Sequence, residues 1–134
     1  MRLLSEKEIL EKLLIDERET LKRLVEKSEK ILRVDKKTGD TVIIAPRSKL
    51  TDRQLISIIL LGRYFSNKLN LVPSEVMTID EIAQKLNIDK DVVSARLSDL
   101  KRERIVEMVS RGEYRISHAN ADTMLDEISE KIGE

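Results

Sequence analysis

The chain carries few of the side chains on which enzymes and metal sites depend. It has a single histidine, His118, and no cysteine, so thiolate chemistry and most zinc or iron sites are excluded. The adjacent carboxylates Asp126 and Glu127 fall on a predicted solvated helix face and need no catalytic explanation. Because no motif for nucleophilic or acid–base catalysis is present, we expect no enzyme activity, no metal and no cofactor.

Phosphate-binding loops and base-stacking surfaces are also missing. The glycines, Gly39, Gly62, Gly112 and Gly133, are too scattered for a loop that wraps phosphates. One Phe, two Tyr and no Trp leave few aromatic rings on which single-stranded bases stack. The sequence therefore argues against nucleotide binding by such loops and against recognition of single strands.

The composition is that of a folded protein. The 134 residues include 25 basic and 25 acidic side chains, a net charge of zero, and 40% apolar residues, which suits one domain with an appended helix. No apolar run is long enough to cross a membrane, and the first residues turn charged at once, so we expect neither a membrane span nor a secretory signal. The absence of cysteine fits an intracellular protein, and we expect a cytoplasmic location.

The charge divides the chain into three parts. Residues 1–50 carry a net charge of +3, residues 51–117 a net charge of +1, and residues 118–134 a net charge of −4. We predict an N-terminal helix plus β-hairpin extension over 1–50, a central domain over 51–117 and an amphipathic helix over 118–134. Any cationic surface is therefore local, because the negative charge of residues 118–134 offsets it in the net charge of the chain.

The N-terminal extension begins with a Ser5–Glu8 capping box and an apolar stripe of helical period. The pattern predicts a helix over the first thirty residues, in which a break near Asp16 is possible. Two β-prone runs, 31–35 and 41–45, flank a loop that contains Gly39 and predict a hairpin. The sequence leaves open whether this hairpin forms a separate sheet or a dimer contact.

Two further capping boxes mark helices in the central part. Thr51–Gln54 opens the most hydrophobic helix, which is apolar around almost its whole circumference and should lie at the centre of the fold. Gly62 within that helix costs about 1 kcal/mol in propensity and predicts the close approach of another element. Thr78–Glu81 begins a short helix with one apolar face.

A second amphipathic helix follows that short helix after a tight turn. We predict it over 90–104, with Val93, Leu97 and Leu100 facing inward and hydroxyl and basic groups facing outward. Two helices in this arrangement form a helix-turn-helix. Strands over 105–109 and 114–117 then flank a tip that carries Arg111, which gives the element order of a winged helix.

Residues 78–117 resemble the core of archaeal and bacterial winged helix-turn-helix regulators, such as the MarR- and ArsR-like groups. The shared pattern is a capped helix, a short turn, a Val-Ser step, leucines three and four residues apart, and a hairpin; with the central helix it covers 51–117. The resemblance implies a mainly α fold with small β-hairpins, extended by helices at both ends. One departure is Arg104, where the family commonly has the glycine that supplies a left-handed helix cap.

The resemblance implies a transcriptional regulator that binds double-stranded DNA. Helix 90–104 would lie in the major groove, and hairpin 105–117 would contact the backbone or the minor groove. The candidate DNA-binding residues are Lys90, Ser94 and Ala95 at base-facing positions, Ser98 on the same outward face, Arg96, Lys101 and Arg102 on the flanks, and Arg111 at the hairpin tip.

Other functions remain open on the sequence alone. Residues 90–115 carry a net charge of only +2, which together with the acidic end also suits a winged helix that binds a protein partner. A regulator that responds to a small-molecule effector would need an apolar pocket. Because apolar stripes occur near both chain ends, we expect a two-fold homodimer.

Overall fold

A computed structural model describes residues 3–133; residues 1–2 of the predicted N-terminal extension and residue 134 of the predicted C-terminal helix lie outside this range. The described chain is mainly helical with two small antiparallel sheets, as predicted. Its elements are α1 (Glu6–Leu10), α2 (Glu17–Ser28), β1 (Leu32–Val34), β2 (Thr41–Ile43), α3 (Asp52–Lys68), β3 (Met77–Thr78), α4 (Ile79–Leu86), α5 (Lys90–Arg102), β4 (Val106–Ser110), β5 (Glu113–Ile116) and α6 (Ala121–Ile132).

The N-terminal helix is broken at the position that the sequence allowed. The Ser5 side chain caps α1 by accepting a hydrogen bond of 3.2 Å from the Glu8 N–H, and a single 3-10 turn follows α1. Asp16 then begins α2, because its carboxylate accepts a hydrogen bond of 3.0 Å from the Arg18 N–H. One continuous helix over the first thirty residues is therefore wrong, and the alternative with a break near Asp16 is confirmed.

The first hairpin forms as predicted and packs on α3. β1 and β2 pair antiparallel with Arg33 opposite Val42. Thr41 lies directly against Gly62, where an added Cβ would come within 2.8 Å of the Thr41 Cβ. The close approach predicted at Gly62 is confirmed, and the hairpin is the element that makes it.

Helix α3 is the centre of the core. Thr51 and Gln54 form the predicted capping box, in which each side chain binds the backbone N–H of the other residue. Twelve of the seventeen residues of α3 are buried. This helix contacts both sheets and α4, α5 and α6, so it fixes the relative positions of the elements that surround it.

The second sheet has three strands rather than the two that the sequence predicts. Its order is β3-β5-β4, and the additional strand β3 pairs Met77 with Tyr114. Strand β4 is an edge strand, and four of its five residues are exposed. The sheet joins the start of α4 to the hairpin that follows α5.

The apolar stripe of α6 is covered by the chain itself. Ala121, Met124, Leu125 and Ile128 are buried, and α6 packs against α2 and α3. On its polar side, Asp122 accepts hydrogen bonds from Arg23 of α2 at 2.8 and 3.1 Å. No helix within residues 3–133 combines the length and apolar character needed to cross a membrane.

Candidate functional site

A tight turn sets the angle between α4 and α5. Asn87 ends α4 in the left-handed conformation, with φ of 55°, and the Ile88 N–H then donates to the Ala83 carbonyl at 3.1 Å. Asn tolerates this conformation better than most residues. The Asp89 side chain accepts a hydrogen bond of 3.2 Å from the Asp91 N–H and so begins α5. Local side-chain chemistry therefore defines both sides of the turn.

Helix α5 is anchored along one face and open along the other. Val93, Leu97 and Leu100 are fully buried, as their spacing predicts, and the helix packs on α3 and α4. Of the candidate residues on α5, Arg96 is half-buried and the others are exposed: Lys90, Ser94, Ala95, Ser98, Lys101 and Arg102. The structure thus brings these seven candidates onto one helix and leaves its outward face uncovered.

Carboxylates pair with most of the cations on this helix. Asp99 forms ion pairs with both Arg96 and Arg102, and the Arg96 Nε lies 3.0 Å from the Asp99 Oδ2 without hydrogen-bond geometry. Lys90 pairs with Asp80 of α4 at 3.1 Å. Within residues 3–133, Lys101 is the one cation of α5 with no ion pair. The positive charge at this face is consequently smaller than its basic residues suggest.

Small side chains occupy the middle of the exposed face. The Ser98 hydroxyl donates a hydrogen bond of 3.2 Å to the Ser94 carbonyl one turn earlier, and Ala95 lies beside them. Short side chains let a partner surface approach the helix backbone closely. The face is therefore shallow along its centre, with longer charged side chains at its ends and flanks.

Helix α5 ends two residues earlier than predicted, because Arg104 takes the left-handed conformation with φ of 64°. The Arg104 N–H donates to the Lys101 carbonyl at 3.0 Å, and the Ile105 N–H donates to the Leu100 carbonyl at 2.9 Å. This pair of bonds is the Schellman motif that usually has glycine at the left-handed position. The left-handed helix end that glycine usually supplies therefore forms here on arginine.

The β4–β5 hairpin places its tip in solvent. Arg111 is exposed at the tip, and Gly112 beside it has φ of 77° with no atom within 4 Å of an added Cβ. The edge strand also exposes two apolar side chains, Met108 by 44% and Val109 by 47%. The hairpin therefore offers both a cationic tip and an apolar edge.

Arg53 links the end of α5 to α3 and α6. Its guanidinium donates to Glu103 at 2.6 and 2.8 Å and to Glu127 at 2.9 Å. The hydrogen bonds to Glu103 are the main reason that the pKa of Arg53 is raised above its ordinary value. Because Gln54 also donates to Glu127 at 2.9 Å, this charged cluster joins the start of α3 to both neighbouring helices.

The sequence reasoning missed the carboxylates that pair with the candidate cations. Asp99 lies three residues after Arg96 and three before Arg102, and this helical spacing was a usable signal for the ion pairs. The contact between Lys90 and Asp80 spans two helices and has no comparable local signal. Within the described range, no three His, Asp or Glu side chains gather into a possible metal site.

Comparisons of this chain with family models, with curated proteins and with solved structures give no match.

Proposed function

We propose that this chain is a winged-helix protein that binds double-stranded DNA through the outward face of α5. The β4–β5 hairpin is the wing, and α4 with α5 is the helix-turn-helix. The observation that supports this proposal is the open, shallow face of α5 on a helix whose opposite face is fully buried. The proposal includes a role in transcription regulation and includes no enzyme activity or cofactor.

A single exposed helix face such as that of α5 suits the major groove of DNA. The major groove of B-form DNA is about 12 Å wide and accepts one α-helix. Ser94, Ala95 and Ser98 lie at the centre of the exposed face, where hydroxyl groups and a methyl group can meet base edges. Lys101 and Arg102 lie near the C-terminal end of α5, where they contact phosphates in this arrangement.

The ion pairs of Asp99 reduce the affinity for phosphate without blocking it. Arg102 is 76% exposed, so its pair with Asp99 is solvated, whereas the Arg96 Nε that faces Asp99 is buried. Exposed pairs of this kind are worth about 0–1 kcal/mol. A phosphate group can therefore replace the carboxylate at Arg102 at small cost, and we expect modest affinity that depends steeply on salt.

A salt titration with a short duplex tests the proposal. The association constant should fall steeply between about 50 and 200 mM salt, and Lys101→Ala should reduce the logarithmic slope by about 1. Lys22→Ala, an exposed lysine of α2, is the matched control and should leave the slope unchanged. Absence of duplex binding at the lowest salt, with the chain folded, would contradict the proposal.

The wing contributes a second contact in this arrangement. Arg111 extends from an exposed tip and would rest on the phosphate backbone or enter the minor groove. Arg111→Ala should weaken binding to every duplex by a similar factor if Arg111 contacts only phosphates. A larger loss on A·T-rich duplexes would indicate the minor groove.

A protein-binding winged helix is the second candidate function. It is favoured by the pairing of three of the four α5 cations and by the exposed Met108 and Val109 on the edge of the wing. A pull-down tests this function. A protein that binds the chain in a stoichiometric amount, stays bound after nuclease treatment and is lost with Met108→Glu would support it. A protein whose binding is lost on nuclease treatment would support DNA binding instead.

A further inference from the structure

The N-terminal arm, residues 3–15, leaves its apolar side chains in solvent. Seven of its thirteen residues are leucine or isoleucine, and α1 within it has no buried residue. Leu3, Leu13, Leu14 and Ile15 expose 74–86% of their surface. Monomeric proteins rarely expose so many contiguous apolar side chains, and such patches mark interaction sites.

A groove of complementary character lies elsewhere on the same chain. It runs between α2, β1 and the end of α3, and its volume is about 550 Å³. Its apolar lining consists of Leu21, Val25, Leu32, Val34, Phe65 and Leu69. Val25 and Leu69 expose 42% and 60% of their surface, so this α2–β1 groove is open to a partner.

We propose that the occupant of this groove is the N-terminal arm of a second copy of the chain. In the dimer, each protomer inserts its arm into the α2–β1 groove of the other, so one contact is made twice about a two-fold axis. Such an exchange closes on itself and leaves no arm unpaired. This inference does not depend on DNA binding.

The charges of the arm and the groove agree with this arrangement. The arm carries three glutamates and two lysines. The charged groups at the edge of the groove are Arg33, Lys68 and Glu29, which leave it net positive. Because the arm carries more glutamates than lysines, an anionic membrane surface would repel it, and burial of the arm in such a membrane is disfavoured.

The apolar side chains of the two arms supply most of the surface that this dimer can bury. A standard interface buries about 800 Å² on each partner. All seven apolar side chains of one arm are between 49% and 86% exposed and so are available for burial. Because the exchange makes the arm–groove contact twice, both arms and both grooves contribute to the interface.

Light scattering on the full chain and on two double variants tests the exchange. The wild-type chain should have twice the 15.5 kDa mass of one chain at micromolar concentration. The arm variant Leu13→Glu/Leu14→Glu and the groove variant Val25→Glu/Leu69→Glu should each raise the dimer dissociation constant by at least about 100-fold. An equimolar mixture of the two should recover part of the dimer, because one arm and one groove remain intact.

Control measurements separate this dimer from the alternatives. Lys22→Glu changes the charge of α2 outside the groove and should leave the dimer intact. Circular dichroism should show unchanged helix content in both double variants, and Leu69→Glu alone replaces the groove variant if the latter unfolds.

Three results would overturn the proposal. The first is a monomeric wild-type chain at micromolar concentration. The second is a folded groove variant that remains a dimer, which would show that arms pair with arms. The third is a monomer that binds phosphatidylcholine–phosphatidylglycerol vesicles through the arm, which would identify a membrane as the occupant.

Discussion

The side-chain amide of Asn120 donates a hydrogen bond of 2.9 Å to the backbone carbonyl of Arg104. Arg104 is the non-glycine residue that ends α5 in the left-handed conformation, and Asn120 immediately precedes α6. The contact ties the end of α5 to the start of α6. It stabilises a backbone conformation that L-amino acids with a side chain adopt at some cost.

Replacing Arg104 with glycine should stabilise the protein. Glycine adopts φ of 64° without the steric cost of a Cβ, so we expect Arg104→Gly to raise the free energy of unfolding by about 0.5–1 kcal/mol. Arg102→Gly is the matched control, because Arg102 lies in the helix and its replacement should lower that free energy. Urea denaturation of the two variants and the wild type measures both effects; destabilisation by Arg104→Gly would show that the side chain of Arg104 is needed.

Adding one methyl group at Gly62 should destabilise the protein. The new Cβ would overlap the side chain of Thr41, and overpacking of this kind costs about 1–3 kcal/mol. Thr41→Ala should restore part of the loss in the Gly62→Ala background, because it removes two of the three overlapping atoms. Gly133→Ala, which meets its nearest atom at an ordinary 3.4 Å, should change the melting temperature little.

The ion pair of Asp122 predicts a dependence of stability on pH. Hydrogen bonds from Arg23, assisted by Lys27 and opposed by burial, hold the pKa of Asp122 below its ordinary value of 3.8. Because the folded pKa is lower than the unfolded one, the carboxylate contributes its full stabilisation above 3.8 and loses it as the pH falls through the folded value. Asp122→Asn should therefore have a lower free energy of unfolding than the wild type at neutral pH. The two free energies should become equal in acid, where the wild-type carboxylate is protonated.

Chemical denaturation at a series of pH values measures this convergence. Asp126→Asn is the control, since Asp126 is 66% exposed and pairs only with Lys27 within the described chain. Its stability should follow that of the wild type closely at every pH. A constant difference between Asp122→Asn and the wild type down to strongly acid pH would contradict the assignment.

Removing the charge of Asp99 should strengthen the proposed binding to DNA. Asp99→Asn frees Arg96 and Arg102 from their ion pairs and removes a carboxylate from the face of α5. We expect duplex affinity at low salt to rise by about three- to tenfold and the salt dependence to become steeper, because more cations meet phosphates. Asp126→Asn makes the same charge change on α6 and should have little effect; equal affinities for both variants would argue against α5 as the contact.

Features fixed by local chemistry could be predicted from the sequence. The capping boxes at Thr51 and Thr78 each involve two residues three positions apart in the sequence, and both form as predicted. The inward face of α5 follows from helical period, and Val93, Leu97 and Leu100 are indeed buried. Lys90, Ser94, Ala95 and Ser98, which the sequence places on the outward side of this helix, are exposed for the same geometric reason.

Features that depend on distant residues could not be predicted. Strand β3 has two residues and exists because Met77 meets Tyr114, which lies far along the chain. The apolar stripes of α1 and α6 look alike in sequence, yet only that of α6 is covered, by α2 and α3. The partner of Lys90 was unpredictable as well, since it depends on how α4 packs beside α5.

The position of Arg53 sets a limit on where this chain can be shortened. A fragment that stops after β5 would lack Glu127 and would leave Arg53 with half of its carboxylate partners. It would also uncover the apolar surfaces of α2 and α3 that α6 protects, which favours aggregation. Helix α6 is therefore an integral part of the folded unit, and a minimal folded fragment must retain it.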